Sequence, residues 1–524
     1  MSDKAKISDI SSNKASIGRI DPNKLMPLPE PLAQFKFKDS AKDEFPLDGY
    51  SVGGFKTPET PEEEAALVEK FLNGLEKLFT KENNWTFLKP LLLTMDHCAQ
   101  CQTCAKSCPV FESTGNNEIY RPIYRSEVFR KIYNNRIKPG SKLFSIFKRE
   151  EVEINSKTLS RLYELSYRCT MCRRCAQSCP MSIDNALITR ELRKLFSQEL
   201  GFAPKELHEK GTMTQLKAGS STGMNPAAVL DNFEFIDEDI TERTGIETHS
   251  RWDVEGADYL LIHNAGEILS WPDNPGAYSL LFNLMGYNWT LSSDLLGYDG
   301  VNYGLFYDDA QFAKIAARHY EIAKKLKVKA IVLGECGHES KALAASSERL
   351  FPDIPRISVL NLLEEIVFSG KLKFNPQNND FPVTLHDPCN LARNLGITEP
   401  QRKILNYLAP RFREMTPNRD KNYCCGGGSG FAIMNSNNFV DWKLSVSGRM
   451  KIKQTLEAFA GEDMSPDAPK YVCAPCSNCK GQLRDLYEYY GLKKDYGIHY
   501  DGLAELVVNA MEGLPSPFID FEMK

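Results

Sequence analysis

The sequence lacks any run approaching the roughly 18 apolar residues that a membrane-spanning helix requires. Its longest candidates, such as Leu91-Leu92-Leu93, are far too short. The opening residues Met1-Ser2-Asp3-Lys4 have none of the charged-then-apolar pattern of a secretory signal. Together these absences predict a soluble chain with no transmembrane segment of its own. A basic excess is missing too: 64 Lys and Arg against 69 Asp and Glu leave a net charge of −5, which argues against a dedicated nucleic-acid binder. Cysteine is scarce relative to a disulfide scaffold, with 15 in 524 residues against the roughly 8–10% of such chains.

The cysteines that are present are concentrated. Eight fall in two tight clusters, Cys98, Cys101, Cys104, Cys108 and Cys169, Cys172, Cys175, Cys179. The remainder are Cys336, Cys389, Cys424, Cys425, Cys473, Cys476 and Cys479. Close spacing without a secretory signal indicates metal ligation in a reducing compartment.

The two clusters are an internal repeat, each C-x2-C-x2-C-x3-C-P, with Cys98 and Cys169 lying 71 residues apart. Three thiolates of such a run converge on one cubane 4Fe–4S cluster, and the fourth ligand comes from the other run. Cys98, Cys101, Cys104 and Cys179 are therefore assigned to one cubane, and Cys169, Cys172, Cys175 and Cys108 to the other. Zinc is disfavoured, because it takes pairs of C-x2-4-C rather than four cysteines closed by proline. Such clusters pass one electron at a time, so the module is a wire.

Around this repeat the chain divides into five segments. Residues 1–84 form an N-terminal arm, interrupted by Pro22, Pro27, Pro29, Pro31 and Pro46, and then a helix after Pro61. Residues 85–200 form an α-helical two-cluster ferredoxin-like module. Residues 201–250, with Gly219-Ser220-Ser221-Thr222-Gly223 and an acidic stretch, are expected to be a linker. Tyr259–His263, Ala330–Gly334, Pro382–His386 and Lys470–Cys473 are apolar runs of buried parallel strands, alternating with helical segments such as Gln311–Leu326. They predict two α/β lobes, 251–372 and 373–524. The fold class is α plus α/β.

A third constellation lies in the second lobe: His386-Asp387-Pro388-Cys389, Tyr423-Cys424-Cys425-Gly426-Gly427-Gly428, and Cys473-Ala474-Pro475-Cys476-Ser477-Asn478-Cys479. Adjacent cysteines suit neighbouring irons of a distorted cluster better than one tetrahedral zinc. The glycine run lacks the Gly-Lys-Ser/Thr ending of a phosphate loop.

The pattern Cys389…Cys424-Cys425-Gly426…Cys476-x-x-Cys479 resembles the CCG motif of heterodisulfide-reductase catalytic subunits. Two ferredoxin runs followed by two CCG-type lobes resemble the HdrD architecture over about residues 90–510. Gly334-Glu335-Cys336-Gly337-His338 and His386–Asn394 add a likeness to the DsrK type, with its TmcB and HmeD relatives, in membrane-bound DsrMKJOP-like complexes. The resemblance implies one noncubane 4Fe–4S cluster on Cys389, Cys424, Cys425, Cys476 and Cys479. It also implies a disulfide or trisulfide substrate on a small DsrC-like sulfur carrier, in dissimilatory sulfur metabolism. The electron donor would be a haem-b, quinol-oxidising, DsrM-like membrane subunit with further complex subunits, which places the chain peripherally at the cytoplasmic face of the membrane.

The first lobe departs from the full pattern. The position of its first cysteine falls near Asn264-Ala265-Gly266, that of its pair near Phe306-Tyr307-Asp308, and its C-x-x-C survives as Cys336-Gly337-His338-Glu339. One lobe is expected to have lost its cluster, and an insertion is expected around 435–470. Cys336 reads either as a thiol that meets substrate sulfur or supplies an extra cluster ligand, or as a structural remnant. His338 and His386 read either as proton donors or as hydrogen-bond partners of the site. Cys473 is either a ligand or a buried strand residue. The basic, aromatic segment Arg121–Arg149 faces a membrane or partner, or offsets cluster charge. An alternative function is electron transfer in a flavin-dependent 2-hydroxyacid or glycerol-3-phosphate oxidase complex.

Overall fold

The computed structural model describes residues 53–138, 152–294, 299–347, 350–435 and 439–522, with a two-residue strand pair at Arg19–Ile20 and Phe45–Pro46. Most of the expected N-terminal arm, and residues 139–149 of the basic segment, lie outside the described residues. Two compact units emerge. One comprises Met1–His208, Leu305–Asp309 and Gly426–Met450; the other comprises Glu209–Gly304, Ala310–Cys425 and Lys451–Lys524.

The first unit is helical. Helix α1 (Pro61–Leu78) starts at Thr60, whose hydroxyl accepts from the Glu63 N–H, and carries three glutamates in its first turn. Helices α2 (Leu88–Asp96), α3 (Pro122–Arg136) and α4 (Ser156–Ser166) pack with α1 around α5 (Asn185–Gln198). Gly74 makes the α1–α5 approach possible, because a Cβ there would sit 2.6 Å from Leu195 Cδ1. Buried charges on α5 are closed by the Leu305–Asp309 segment: Arg190 and Lys194 both pair with Asp309 and Glu191. Although burial alone would raise it, these cations hold the Asp309 carboxyl well below its usual range. Segment Gly426–Met450 also belongs to this unit, with Trp442 packed on Tyr120 and under the Arg168 guanidinium. That is where the insertion expected around 435–470 begins.

The second unit holds two four-stranded parallel sheets. The first contains β1 (Tyr259–Ile262), β2 (Trp289–Thr290), β3 (Ala330–Leu333) and β4 (Arg356–Ser358) in the order β2-β1-β3-β4. The second contains β5 (Val383–Leu385), β6 (Phe412–Arg413), β7 (Lys470–Cys473) and β8 (Ile498–Asp501) in the order β6-β5-β7-β8. The topologies are the same. Each sheet centres on near-continuous apolar strands, as strands covered on both faces must be. One hydrophobic core joins the two, including Leu261 and Val332 from the first sheet and Val383, Leu385 and Tyr471 from the second.

The segment expected to be a linker is folded. Its residues Pro226–Thr244 form α6, capped by the Asn225 side chain, and Val229, Phe233, Ile236 and Ile240 enter the shared core. Their i, i+4, i+7, i+11 spacing makes one apolar helical face.

Candidate functional site

In the helical unit, both cysteine runs adopt the same strained loop. The residues flanking the second cysteine take positive φ in each: Gln100 (54°) and Gln102 (62°), then Met171 (49°) and Arg173 (62°). Non-glycine residues in the left-handed region carry strain that persists where a site requires it. Cys108, Cys169, Cys172 and Cys175 line one cavity, together with Arg125, Arg168 and Arg173. Burial pushes the Cys108 thiol up to about 12, and neighbouring Cys169 and Cys172 add to it. Cys104 is pushed up to about 11 by burial and by Cys108, Cys98, Cys179 and Cys101. Cys108 of the first run thus lies with three cysteines of the second, and Cys179 of the second lies near Cys104 of the first. Buried thiols pushed up in this way stay protonated, and a bound metal would release their protons.

The basic segment partly turns inward. Arg125 and Arg130 of α3 are buried, Arg125 donating to Thr189 Oγ1 and Arg130 to the Thr94 carbonyl. Neither side chain faces outward; Arg130 also pairs with Glu127 at 3.4 Å, and of the two Arg125 lines the cysteine cavity.

In the second unit the thiols gather where the central strands of the second sheet end, the edge at which open parallel sheets take ligands. Strand β5 runs into His386-Asp387-Pro388-Cys389, and Cys389 opens helix α8 (Cys389–Leu395). Asp387 fixes this turn: both its oxygens accept from Arg402 at 2.7 Å, and one accepts from the Arg419 N–H at 2.7 Å. Strand β7 exits through Cys476, the N-cap of helix α9 (Ser477–Tyr490), and Cys479 lies in the first turn of that helix. The sulfurs of Cys425 and Cys479 are 3.4 Å apart. His386, Cys425 and Cys479 present ligand atoms within 4.8 Å of one another, all buried. The neighbouring Cys424 and Cys479, followed by His386, hold the Cys425 thiol well below its ordinary value despite burial. Cys473 ends β7 inside the hydrophobic core.

His386 is kept neutral by burial and then by the Lys451 cation. Its Nδ1 faces the Asn422 amide nitrogen at 3.4 Å, while its Nε2 has no hydrogen-bond partner among the described residues. Accepting at Nδ1 puts the proton on Nε2. A buried, unpartnered N–H in contact range of thiols is chemistry prepared for a sulfur ligand. Lys451 is a site residue that motif spacing does not reveal. Its ammonium, pushed down to about 7 by burial, donates to Asn422 Oδ1 at 2.8 Å.

The first sheet faces the same thiols. Cys336, at the exit of β3, is fully buried and accepts from the Asn264 and Asn478 amides at 3.4 Å each. The next residue, Gly337, opens helix α7 (Gly337–Ser347) and donates its N–H to Cys476 Sγ at 3.3 Å. Burial, followed by Cys476, Glu339 and Glu267, pushes the Cys336 thiol well up. His338 is pushed down to about 4, chiefly by burial, and packs edge-on to Tyr303. Glu339 stands where a C-x-x-C would place its second cysteine. Both its carboxyl oxygens are buried without hydrogen-bond partners among the described residues, and burial raises its pKa well above the usual value.

Comparison with known proteins agrees with this layout. Residues 94–183 match the family model of the 4Fe-4S dicluster domain, and residues 383–484 match that of the CCG cysteine-rich domain. The chain is 27% identical to an Hdr-like menaquinol oxidoreductase iron-sulfur subunit 2 of Archaeoglobus fulgidus, over 84% of this chain and 83% of that one. It is 25% identical to an Hdr-like menaquinol oxidoreductase iron-sulfur subunit of Archaeoglobus profundus, over 91% and 86%. It is 24% identical to the HdrD-type polypeptide of the dihydromethanophenazine:CoB–CoM heterodisulfide reductase of Methanosarcina acetivorans, over 80% and 95%. Among the described residues no helix is long and apolar enough to cross a membrane.

Proposed function

We propose that this HdrD/DsrK-like iron–sulfur chain, an oxidoreductase of the heterodisulfide-reductase type, reduces a sulfur–sulfur bond at the thiols of its second sheet. Cys98, Cys101, Cys104 and Cys179 would hold one cubane cluster, and Cys108, Cys169, Cys172 and Cys175 the other. Cys389, Cys424, Cys425, Cys476 and Cys479 would hold the noncubane cluster. The observation that carries the reading is the convergence of Cys425, Cys479 and the unpartnered His386 Nε2 within one buried pocket of sulfur and imidazole, with Cys336 adjoining it through Cys476. When bound, the clusters would supply one-electron delivery and a thiophilic metal for the substrate sulfur.

The chain's own residues handle position and protons. Splitting a disulfide into two thiols consumes two electrons and two protons. Cys336 retains its S–H because burial disfavours the thiolate, and two amides orient its sulfur. The imidazole of His386 stands within 4.8 Å of the Cys425 and Cys479 sulfurs, and burial keeps His338, two residues after Cys336, neutral. Asp387, locked by Arg402, keeps the Cys389 turn from moving as charge arrives.

The proposed electron donor is a haem-b, quinol-oxidising membrane subunit within a DsrMKJOP-like complex, and the proposed acceptor is a small DsrC-like carrier. The name of the Archaeoglobus fulgidus relative, a menaquinol oxidoreductase subunit, supports the first. The chain would then lie peripherally at the cytoplasmic face. The test is to reduce the full, cluster-loaded chain and add a protein disulfide or trisulfide. Release of thiols matching the electrons supplied is expected, and no release would overturn the reading. Co-purification with a flavoprotein in place of a haem-b subunit would favour the oxidase-type alternative.

A further inference from the structure

Two guanidinium groups beside the second cysteine run are buried without a carboxylate partner among the described residues. Arg125 is 6% exposed, and its one hydrogen bond there runs from Nε to Thr189 Oγ1 at 2.7 Å. Arg193 is fully buried. It spends its donors on neutral acceptors: the Ser166 carbonyl at 2.9 and 3.1 Å, the Cys169 carbonyl at 2.8 Å, and the carbonyl and hydroxyl of Ser429 at 3.2 Å. Its plane lies over the Tyr167 ring at 4.2 Å.

Nearby arginines are handled differently. Arg190, one turn earlier on α5, is paired with Asp309 and Glu191. Arg168 is paired with Glu164 at 3.0 Å, and Arg173 with Asp184 at 2.7 Å. A buried cation without a counter-charge is costly and persists where negative charge stands beside it. The site itself can supply that charge, because Arg125 lines the cavity of Cys108, Cys169, Cys172 and Cys175 and Arg193 is bonded to the backbone of Cys169.

We propose that Arg125 and Arg193 are positioning residues that raise the reduction potential of the cluster held by Cys108, Cys169, Cys172 and Cys175. The inference rests on the assignment of a 4Fe–4S cluster to those cysteines. Reduction adds one electron and breaks no bond, so the reduced cluster carries one more negative charge than the oxidised one. A fixed cation in a water-poor site stabilises that extra charge, and net charge and hydrogen bonding around the sulfurs set such potentials. Burial alone pulls the other way, by disfavouring the more highly charged state; the two cations counter it. A guanidinium stays protonated at neutral pH even when buried, so both side chains bring a fixed positive charge.

The test is an EPR-monitored redox titration of the full, cluster-loaded chain, comparing wild type with Arg193→Gln, Arg193→Lys and Arg125→Gln. A Cys175→Ser variant identifies which of the two waves belongs to this site. Each glutamine variant is expected to weaken reduction of that cluster at least tenfold, about 59 mV for one electron. The other cluster should be unmoved, and Arg193→Lys should recover most of the shift. Arg125→Gln gives up a single hydrogen bond, so it serves if Arg193→Gln fails to assemble. An unshifted midpoint in an iron-replete glutamine variant overturns the proposal, as does loss of the cluster in both, which would make the arginines scaffolding. Absence of any wild-type wave sensitive to Cys175→Ser would instead refute the cluster assignment.

Discussion

The two sheets of the second unit share strand order but differ in what they place at the strand exits. After the first strand of each comes a histidine, His263 or His386, followed by Asn264 or Asp387 at the next position. After the third strand the first sheet offers Cys336-Gly337-His338-Glu339 and the second Cys476-Ser477-Asn478-Cys479. In the second sheet the groups include one held anionic: Cys425 is held low by Cys424 and Cys479, while Cys479 itself is pushed well up, first by Cys425 and Cys476. In the first they are arranged to be neutral: Glu339 and Cys336 are both raised by burial. The same scaffold thus supports two electrostatic states, and the side chains at four or five exit positions decide which. A group held anionic can take a cation directly, whereas buried acids held neutral must first give up their protons.

The comparison breaks most sharply at the thiols. Cys425→Ser should abolish disulfide reduction and the spectroscopic signal of the site. The loss should exceed the roughly 100-fold that removal of a supporting contact to a metal ligand costs. Cys336→Ser should keep the signal while slowing turnover. Equal loss of signal in both would make the two lobes joint owners of the cluster.

At the next position, Asp387→Asn leaves Arg402 with Glu414 as its one remaining carboxylate partner and weakens a charged hydrogen-bond pair, which should destabilise the chain by about 1.5–3 kcal/mol. Asn264→Ala, which removes a helix cap in the first lobe, should cost only about 1 kcal/mol. Denaturant midpoints of the two variants give the contrast directly.

Glu339 supplies a pH-dependent contrast. Its folded pKa is raised above the unfolded value, so its contribution to stability is full below about 4.5 and declines as pH rises toward the folded pKa. Glu339→Gln should therefore be neutral near pH 4 and stabilising at pH 7. A thermal midpoint that does not diverge from wild type between those pH values would mean that the carboxyl has a counter-charge.

Smallest is the effect expected at Cys473, which holds in β7 the place that Leu333 holds in β3. Cys473→Ala should cost about 1–2 kcal/mol of packing and leave the cluster signal intact. Loss of that signal would make Cys473 a ligand.

Much of this was legible in the sequence because the ligands are local. Both ferredoxin-type runs, and the strands leading to His263, Cys336, His386 and Cys476, are read from spacing and apolar runs within a few residues. Strands as short as Trp289–Thr290 and Phe412–Arg413 carry too little pattern to be seen. Helix α6 was concealed by the Gly/Ser-rich and acidic residues around its apolar face. Arg193 and Lys451 were invisible for another reason. Their partners Ser429 and Asn422 lie 236 and 29 residues away, and only folding brings a lysine flanked by Met450 and Ile452 beside a thiol site.

The central claim is that the second sheet's thiols hold an iron site that engages sulfur. Freeze-quench EPR of the cluster-loaded chain, oxidised in the presence of its sulfur substrate, tests it most directly. A paramagnetic signal beyond the two ferredoxin-type species, present in wild type and absent in Cys425→Ser, is the predicted result. Ferredoxin-type signals alone, in a preparation whose iron content accounts for all three clusters, would contradict it.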